Sequence, residues 1–225
     1  MKICLISDTH TKHKQLVLPD ADLLIHAGDF TYTGKPHEVY DFAQWIDRIA
    51  PQFKFGVVLL AGNHELSFDA THPRYIPGLK DCLTSCHYLE EDVIEINGYK
   101  IYGSPWTPEF NGWAFNYDRT EGLMRWQKIP DGTDILVTHG PPLAILDKAY
   151  PDGESYGCFD LGYAIEKIRP KLHVFGHIHG GSGMRVYNGV TYVNASVVNE
   201  AYNLIHPNGY LVELEDPQSG GDGRV

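Results

Sequence analysis

Five times along this chain an apolar run rich in β-branched residues stops, and a cluster of Asp, Asn, His and Gly begins at once. The clusters are Ser7-Asp8-Thr9-His10, Ala27-Gly28-Asp29, Ala61-Gly62-Asn63-His64-Glu65, Thr138-His139-Gly140-Pro141-Pro142 and Gly176-His177-Ile178-His179. Strand ends in an α/β sheet are where loops converge over a rigid scaffold and where ligands bind. One such cluster is ordinary turn chemistry, because Asp, Asn and Gly form turns readily. Five, each beside a Gly or another potential ligand, point instead to a metal site. Alternation along an extended segment places Asp8 and His10 on one face, and likewise His177 and His179, the spacing for two ligands on one metal.

The stretches between the clusters read as a layered α/β (α+β) fold. Strands are expected at Lys2 to Ile6, Leu23 to Ala27 and Val57 to Ala61, with a helix from His37 to Ile49 between the last two. Such a crossover gives a parallel pair. Asn97-Gly98 and Asn188-Gly189 each sit between short apolar runs and predict hairpins, because Asn-Gly accepts the positive φ of a type I′ turn. Further strands are expected at Ile135 to Thr138 and Leu172 to Phe175, with a helix near Leu161 to Ile168. No internal repeat or low-complexity linker interrupts residues 1 to 214. The expectation is one domain over 1–215, with two mixed sheets stacked face to face and helices outside. A Gly-rich polar tail, 216–225, is expected to be disordered.

Lys and Arg number 18 against 29 Asp and Glu, a net charge of −11. That field repels a phosphate backbone, so non-specific nucleic-acid binding is excluded, and an anionic substrate needs local positive charge. No run approaches the ~18 apolar residues of a membrane span, and the first apolar run meets Ser7-Asp8 too soon for a signal peptide, so a cytoplasmic location without membrane contact is expected. The four cysteines, Cys4, Cys82, Cys86 and Cys158, are read as reduced thiols. Cys82 and Cys86 have no second pair to complete a zinc ribbon.

Taken in order, the set D-x-H, G-D, G-N-H-E, H-G and G-H-x-H resembles the calcineurin-like metallophosphoesterase superfamily, over Asp8 to His179. The runs Leu24 to Phe30, Gly103-Ser104-Pro105-Trp106, Asp134 to Pro142 and His173 to His179 are similar to the small metallophosphoesterase-domain-containing proteins, which are class III phosphodiesterase-like. The resemblance implies a four-layer αββα sandwich of two mixed β-sheets and two adjacent divalent metal ions. Asp8, His10 and His179 would hold the first. Asn63, His139 and His177 would hold the second, Asp29 would bridge them, and His64 would sit beside the pair.

These donors are imidazole, carboxylate and amide oxygen, which suits Mn²⁺, with Fe or Zn²⁺ as alternatives. Two such ions bridge a hydroxide that attacks phosphorus in line. With two carboxylates and that hydroxide the centre keeps one positive charge, which a diester monoanion neutralises and a monoester dianion exceeds. The expected activity is therefore hydrolysis of a small nucleotide-like or cyclic-nucleotide phosphodiester. Its alternatives are a broad-specificity phosphomonoesterase, or a metal- and nucleotide-binding or protein-interaction module with little turnover. The sequence names no protein partner. His64 is the expected general acid, and Glu65 is expected to anchor its loop.

Two local departures sharpen the reading. Asp29 is followed by Phe30-Thr31-Tyr32-Thr33-Gly34, not by the D-R-G segment of the serine/threonine phosphatases in the superfamily. His177 is present where some members of the small subfamily carry Gly, so turnover is expected.

Residues 106 to 117 hold Trp106, Phe110, Trp113, Phe115 and Tyr117, and read as a loop that either lies across the site mouth through Trp106 or is packed by its own aromatics, the expected place of the other four rings. Asn63, His64 and Trp106 are the expected substrate contacts, Trp106 by stacking on a base. Among the other histidines, His26 is expected in the core with a hydrogen bond. His13 and His173, with His37, His72, His87 and His206, are expected at the surface or just behind the site.

Overall fold

Strands buried on both faces build the scaffold, as parallel strands covered by helices must be. In β1 (Lys2–Ile6), Ile3 and Leu5 face one side and Cys4 and Ile6 the other, and all four are inaccessible to solvent. This computed structural model describes residues 1–215, so the tail at 216–225 lies outside the described residues.

β1 pairs in parallel with β2 (Leu23–His26), β2 with β3 (Val57–Leu59), and β3 with the two-residue β4 (His87–Tyr88). The second sheet begins with the antiparallel hairpin of β5 (Asp92–Ile96) and β6 (Tyr99–Ser104). A separate ribbon of β7 (Thr107–Pro108) and β8 (Asn116–Tyr117) follows. The second sheet resumes with β9 (Ile135–Thr138) and β10 (Leu172–Phe175), parallel to each other, and ends in the hairpin of β11 (Gly183–Tyr187) and β12 (Val190–Asn194). β13 (Tyr210–Glu213) returns antiparallel beside β1. The orders are β13-β1-β2-β3-β4 and β11-β12-β10-β9-β6-β5.

Helix α1 (Pro36–Ile49) starts where Glu38 accepts hydrogen bonds from the main-chain N–H groups of Thr33 and Lys35. It lays Val39, Phe42, Trp45 and Ile46 on the outer face of the first sheet. Helices α2 (Gly122–Trp126) and α3 (Phe159–Ile168) cover the outer face of the second with Trp126, Leu161 and Ile165. Between the sheets lies a third core, where Ile25 and Val58 meet Ile101, Val137 and Val174. The layers are therefore α, β, β, α.

Both Asn-Gly hairpins form, with φ of 50° and 76° at Asn97 and Gly98, and 48° and 79° at Asn188 and Gly189. Among the described residues five strands and helices, β4, β7, β8, α2 and β13, go beyond the sequence expectation. Residues 106–117 are not wholly a loop, because β7 and β8 bracket them. α2 follows a capped 3₁₀ turn at Asp118, and β13 occupies a stretch of weak pattern. His13 and His173 are corrected as well. Both are fully buried, His13 against Phe42 and Trp45 beneath α1, and His173 with Nε2 2.8 Å from Thr138 Oγ1. His26 is a core residue as expected, 3.0 Å from Thr9 Oγ1.

Candidate metal centre

The carboxyl ends of β1, β2, β9 and β10 all open onto one rim, and the segments leaving them turn back sharply. Asp8, His10, Asp29 and His177 all have φ between 38° and 69°, the left-handed region that costs a non-glycine residue ~1 kcal/mol or more. The backbone is therefore not the extended segment expected from the sequence, yet Asp8 and His10 still fall in one group of donors as expected. His177 and His179 aim at different groups of donors instead of sharing one.

Among the described residues three groups of side chains could hold an ion: Asp8, His10 and His179; Asp29, His139 and His177; and between them His10, Asp29 and His64. Asp29 is the hinge of the arrangement. Its Oδ2 lies 3.3 Å from His139 Nε2 and 3.9 Å from the Nε2 atoms of both His10 and His64. In the first group His179 Nε2 is 3.5 Å from Asp8 Oδ1 and 3.4 Å from His10 Nε2. Asn63 joins the second group, its Oδ1 2.9 Å from His139 Nε2. All seven expected ligands thus converge on one place.

The rings are oriented from behind. The Nδ1 atoms of His10, His139, His179 and His64 lie 3.0, 2.9, 3.2 and 2.6 Å from the main-chain carbonyls of Thr31, Ala27, Asn199 and Tyr32. A carbonyl only accepts, so each Nδ1 carries a proton and each Nε2 faces inward, the orientation imidazole ligands need. Glu65 anchors two loops at once. Its carboxylate accepts from the N–H groups of Asp29, Thr31 and Gly62 at 3.0, 2.9 and 2.6 Å, and from Thr31 Oγ1. Gly62 and Gly176 are obligatory for close approach, since a Cβ at either would strike Asp29 Oδ1 or Asp8 Oδ2. Asn194 donates to Ile178 O at 2.8 Å, fixing the backbone between His177 and His179.

The charges favour a cation. Burial works to raise the Asp29 and Asp8 carboxyls, but the facing imidazoles outweigh it, holding Asp29 well below the usual carboxylate range and Asp8 at about 2. Burial pushes His10 down to about 4 and His177 to about 3, which keeps their lone pairs free. Against the same burial, Asp29 lifts His139 to about 9 and Asp8 lifts His179, a measure of the pull on positive charge here. Ionised carboxylates, Nε2 atoms facing inward and no thiolate make a donor set that fits divalent ions, which would take the place of the protons on His139 and His179.

Trp106 is not at the mouth. Its ring carries the Arg125 guanidinium at 3.9 Å and packs edge-on to Phe115. The aromatic residues lining the cavity over the centre are Phe110, Trp113 and Tyr202. Trp113 stacks on His64 with ring centroids 4.3 Å apart, and Tyr202 stands edge-on to His10 at 4.8 Å. The sequence offers Trp106 to the mouth and leaves the other rings to pack on each other, whereas Phe110 and Trp113 are the rings of that loop that face the cavity. Tyr202 and the four orienting carbonyls have no sequence signature at all.

Geometry and descent agree. The family model described as calcineurin-like phosphoesterase matches residues 1–181. This chain belongs to that family, whose members are metal-dependent hydrolases of phosphoesters. It is 38% identical over 235 residues to human metallophosphoesterase domain-containing protein 1, covering 95% of this chain and 71% of that protein. It is 36% identical over 217 residues to UPF0046 protein K07C11.7 of Caenorhabditis elegans, covering 91% and 72%. The fold is shared with phosphopantetheinyl hydrolase (PptH) from Mycobacterium tuberculosis, at a TM-score of 0.59 and 17% identity over 96% of this chain and 97% of that one. The protein TT1561 of Thermus thermophilus gives 0.60 at 15% identity, over 87% and 88%. No helix among the described residues is long and apolar enough to cross a membrane.

Proposed function

We propose that this chain is a binuclear metal-dependent phosphodiesterase acting on a small nucleotide-like or cyclic-nucleotide diester, with residues 1–215 working as one unit. The observation that carries the reading is the placement of Asp29 Oδ2 between two donor groups, 3.3 Å from His139 and 3.9 Å from His10. Asp8, His10 and His179 would hold one ion, and Asn63, His139 and His177 the other, with Asp29 shared. Mn²⁺ is the proposed metal. When bound, two divalent ions supply a nucleophilic oxygen at neutral pH and charge compensation for the phosphoryl group.

The chain's own residues account for the rest. His64 has its Nδ1 hydrogen committed to Tyr32 O, so Nε2 faces the centre and in its protonated form hands a proton to the leaving alkoxide. Trp113 holds that ring flat. The cavity over the centre, about 270 Å³, is lined by no Lys or Arg among the described residues. With no Lys or Arg on its own wall it suits a diester monoanion better than a monoester dianion, and Arg119 lies on the wall of the neighbouring cavity instead. An adjoining cavity of about 320 Å³ shares Phe110 and His177 with it and gives room for the alcohol portion of the substrate.

The test is reconstitution of metal-stripped protein with Mn²⁺, comparing a generic aryl phosphodiester with the matching monoester. Faster diester cleavage, abolished in His177→Ala, is the expected result. Equal or faster monoester cleavage would replace this reading with a phosphomonoesterase.

A further inference from the structure

Among the described residues the two sheets have four edges, and three are protected in the ways natural sheets use to prevent edge-to-edge pairing. β4 is two residues long, β5 carries Asp92 and Glu95, and β13 ends in Glu213. β11 is different. It is five residues, Gly183-Met184-Arg185-Val186-Tyr187, with no Pro and no carboxylate, and Met184 and Val186 are 55% and 68% exposed.

Its pairing with β12 decides which main-chain groups are free. The Asn188-Gly189 turn joins Tyr187 to Val190, and in a two-residue hairpin the flanking residues form a hydrogen-bonded pair. Bonding alternates from there, so Tyr187, Arg185 and Gly183 direct their N–H and C=O groups at β12. Those of Val186 and Met184 point outward from the sheet. The side chains alternate too. Met184 and Val186 lie on the face of Val193, the sandwich side, whereas Arg185 and Tyr187 lie on the face of Tyr192, toward α3. On that outer face Arg185 and Tyr187 line a cavity of about 390 Å³ together with Leu143, Phe159 and Tyr163, and these last three are 40%, 70% and 45% exposed. Arginine and large aromatics on an exposed patch have the composition of an interface centre.

We propose that β11 is the contact between two copies of this chain, paired antiparallel about a two-fold axis through Val186. A closed homodimer needs a self-complementary patch, and of the two-fold registers that the outward groups of β11 allow, centred on Met184, Arg185 or Val186, the last is the one that sets unlike side chains with complementary chemistry against each other. Centred on Val186, the strands exchange the two free N–H and C=O groups of that residue, and each Arg185 falls opposite the partner's Tyr187. Within one copy Arg185 already stands 5.5 Å from its own Tyr187 ring, and the partner's ring gives each guanidinium a second aromatic face. Centred on Arg185 instead, the strands would set two guanidiniums against each other. The two-fold axis stands normal to the sheet, so both α3 helices lie on one side and bring Phe159 and Tyr163 of each copy to the same face. The second sheet becomes continuous across the molecule, and its unprotected edge disappears. The metal centre plays no part in this pairing.

Sedimentation equilibrium of the full chain tests the proposal. Wild type is expected as a dimer. Val186→Lys, at a position already 68% exposed and therefore free to change without disturbing the fold, is expected to be a monomer with an unchanged melting temperature. Tyr187→Arg is expected to weaken the dimer roughly tenfold or more by setting like charges opposite each other in both copies. The exchange Arg185→Tyr with Tyr187→Arg restores the complementary pairs and is expected to recover wild-type affinity. A wild-type monomer overturns the proposal, and so does a dimer that tolerates both Val186→Lys and Tyr187→Arg.

Discussion

His64 lies almost flat against Trp113, with ring centroids 4.3 Å apart and planes 26° apart, while its Nδ1 is tied to the Tyr32 carbonyl at 2.6 Å. The ring has one free nitrogen, and two neighbours fix where it points.

Replacing Trp113 by Ala leaves His64 free to swing. We predict a fall in kcat of roughly 3- to 10-fold, while His64→Gln lowers kcat by about 10²-fold or more. Steady-state kinetics of both variants on the same diester decide the matter. Undiminished turnover in His64→Gln would show that the leaving group takes its proton from elsewhere.

Glu65 binds three main-chain N–H groups from two loops. Glu65→Gln turns an NH₂ toward at least one of those donors, leaving a buried mismatch worth ~1 to 3 kcal/mol. The expected variant is less stable to denaturant and binds Mn²⁺ more weakly, because the Asp29 loop has lost its anchor. Urea unfolding and calorimetric titration with Mn²⁺ measure the two effects separately.

A Cβ on residue 62 would collide with the Asp29 carboxylate and the His139 ring. Gly62→Ala is therefore expected to bind less metal per chain than wild type while keeping its far-ultraviolet circular dichroism. Metal stoichiometry after dialysis reads this out, and a wild-type count would refute the crowding argument.

His173 is wholly buried, and burial pushes it down to about 3 from an ordinary value of 6.5. Between those values the unfolded chain holds a proton that the folded chain does not. Stability is therefore complete above pH 6.5 for this group and is lost progressively as pH falls. Removing the group in His173→Gln is predicted to flatten the acid slope of unfolding free energy by up to about 1.4 kcal/mol per pH unit. Identical slopes for the two proteins between about pH 5 and pH 7 would disprove it.

Much of this site was legible in the sequence because metal donors must be particular residue types, and five apolar runs announce where each donor group begins. Asp8, His10, Asp29, Asn63, His139, His177 and His179 stand together as their motifs imply. Spacing pairs Asp8 with His10 as the structure does, but it wrongly pairs His177 with His179. The left-handed turns at Asp8, His10 and His177 break the two-residue alternation on which that inference relies. The wall of the cavity was half legible. An aromatic loop is visible in composition, yet Trp106 is drawn aside by Arg125, a partner nineteen positions away that no local pattern predicts. The burial of His13 and His173 was hidden for a similar reason. An imidazole packs against Trp45 or bonds to Thr138 only once helix and sheet have met.

The proposed donors come from both halves of the sandwich. Asp8, His10, Asp29 and Asn63 follow strands of the first sheet, and His139, His177 and His179 follow strands of the second. Each ion held there would act as a rivet through two plates. Its grip then depends on how the plates are seated, so a methyl group removed deep between them, at Val58 or Val174, should loosen metal binding at the rim without touching a ligand. The interior of the sandwich is in this sense part of the metal site's calibration.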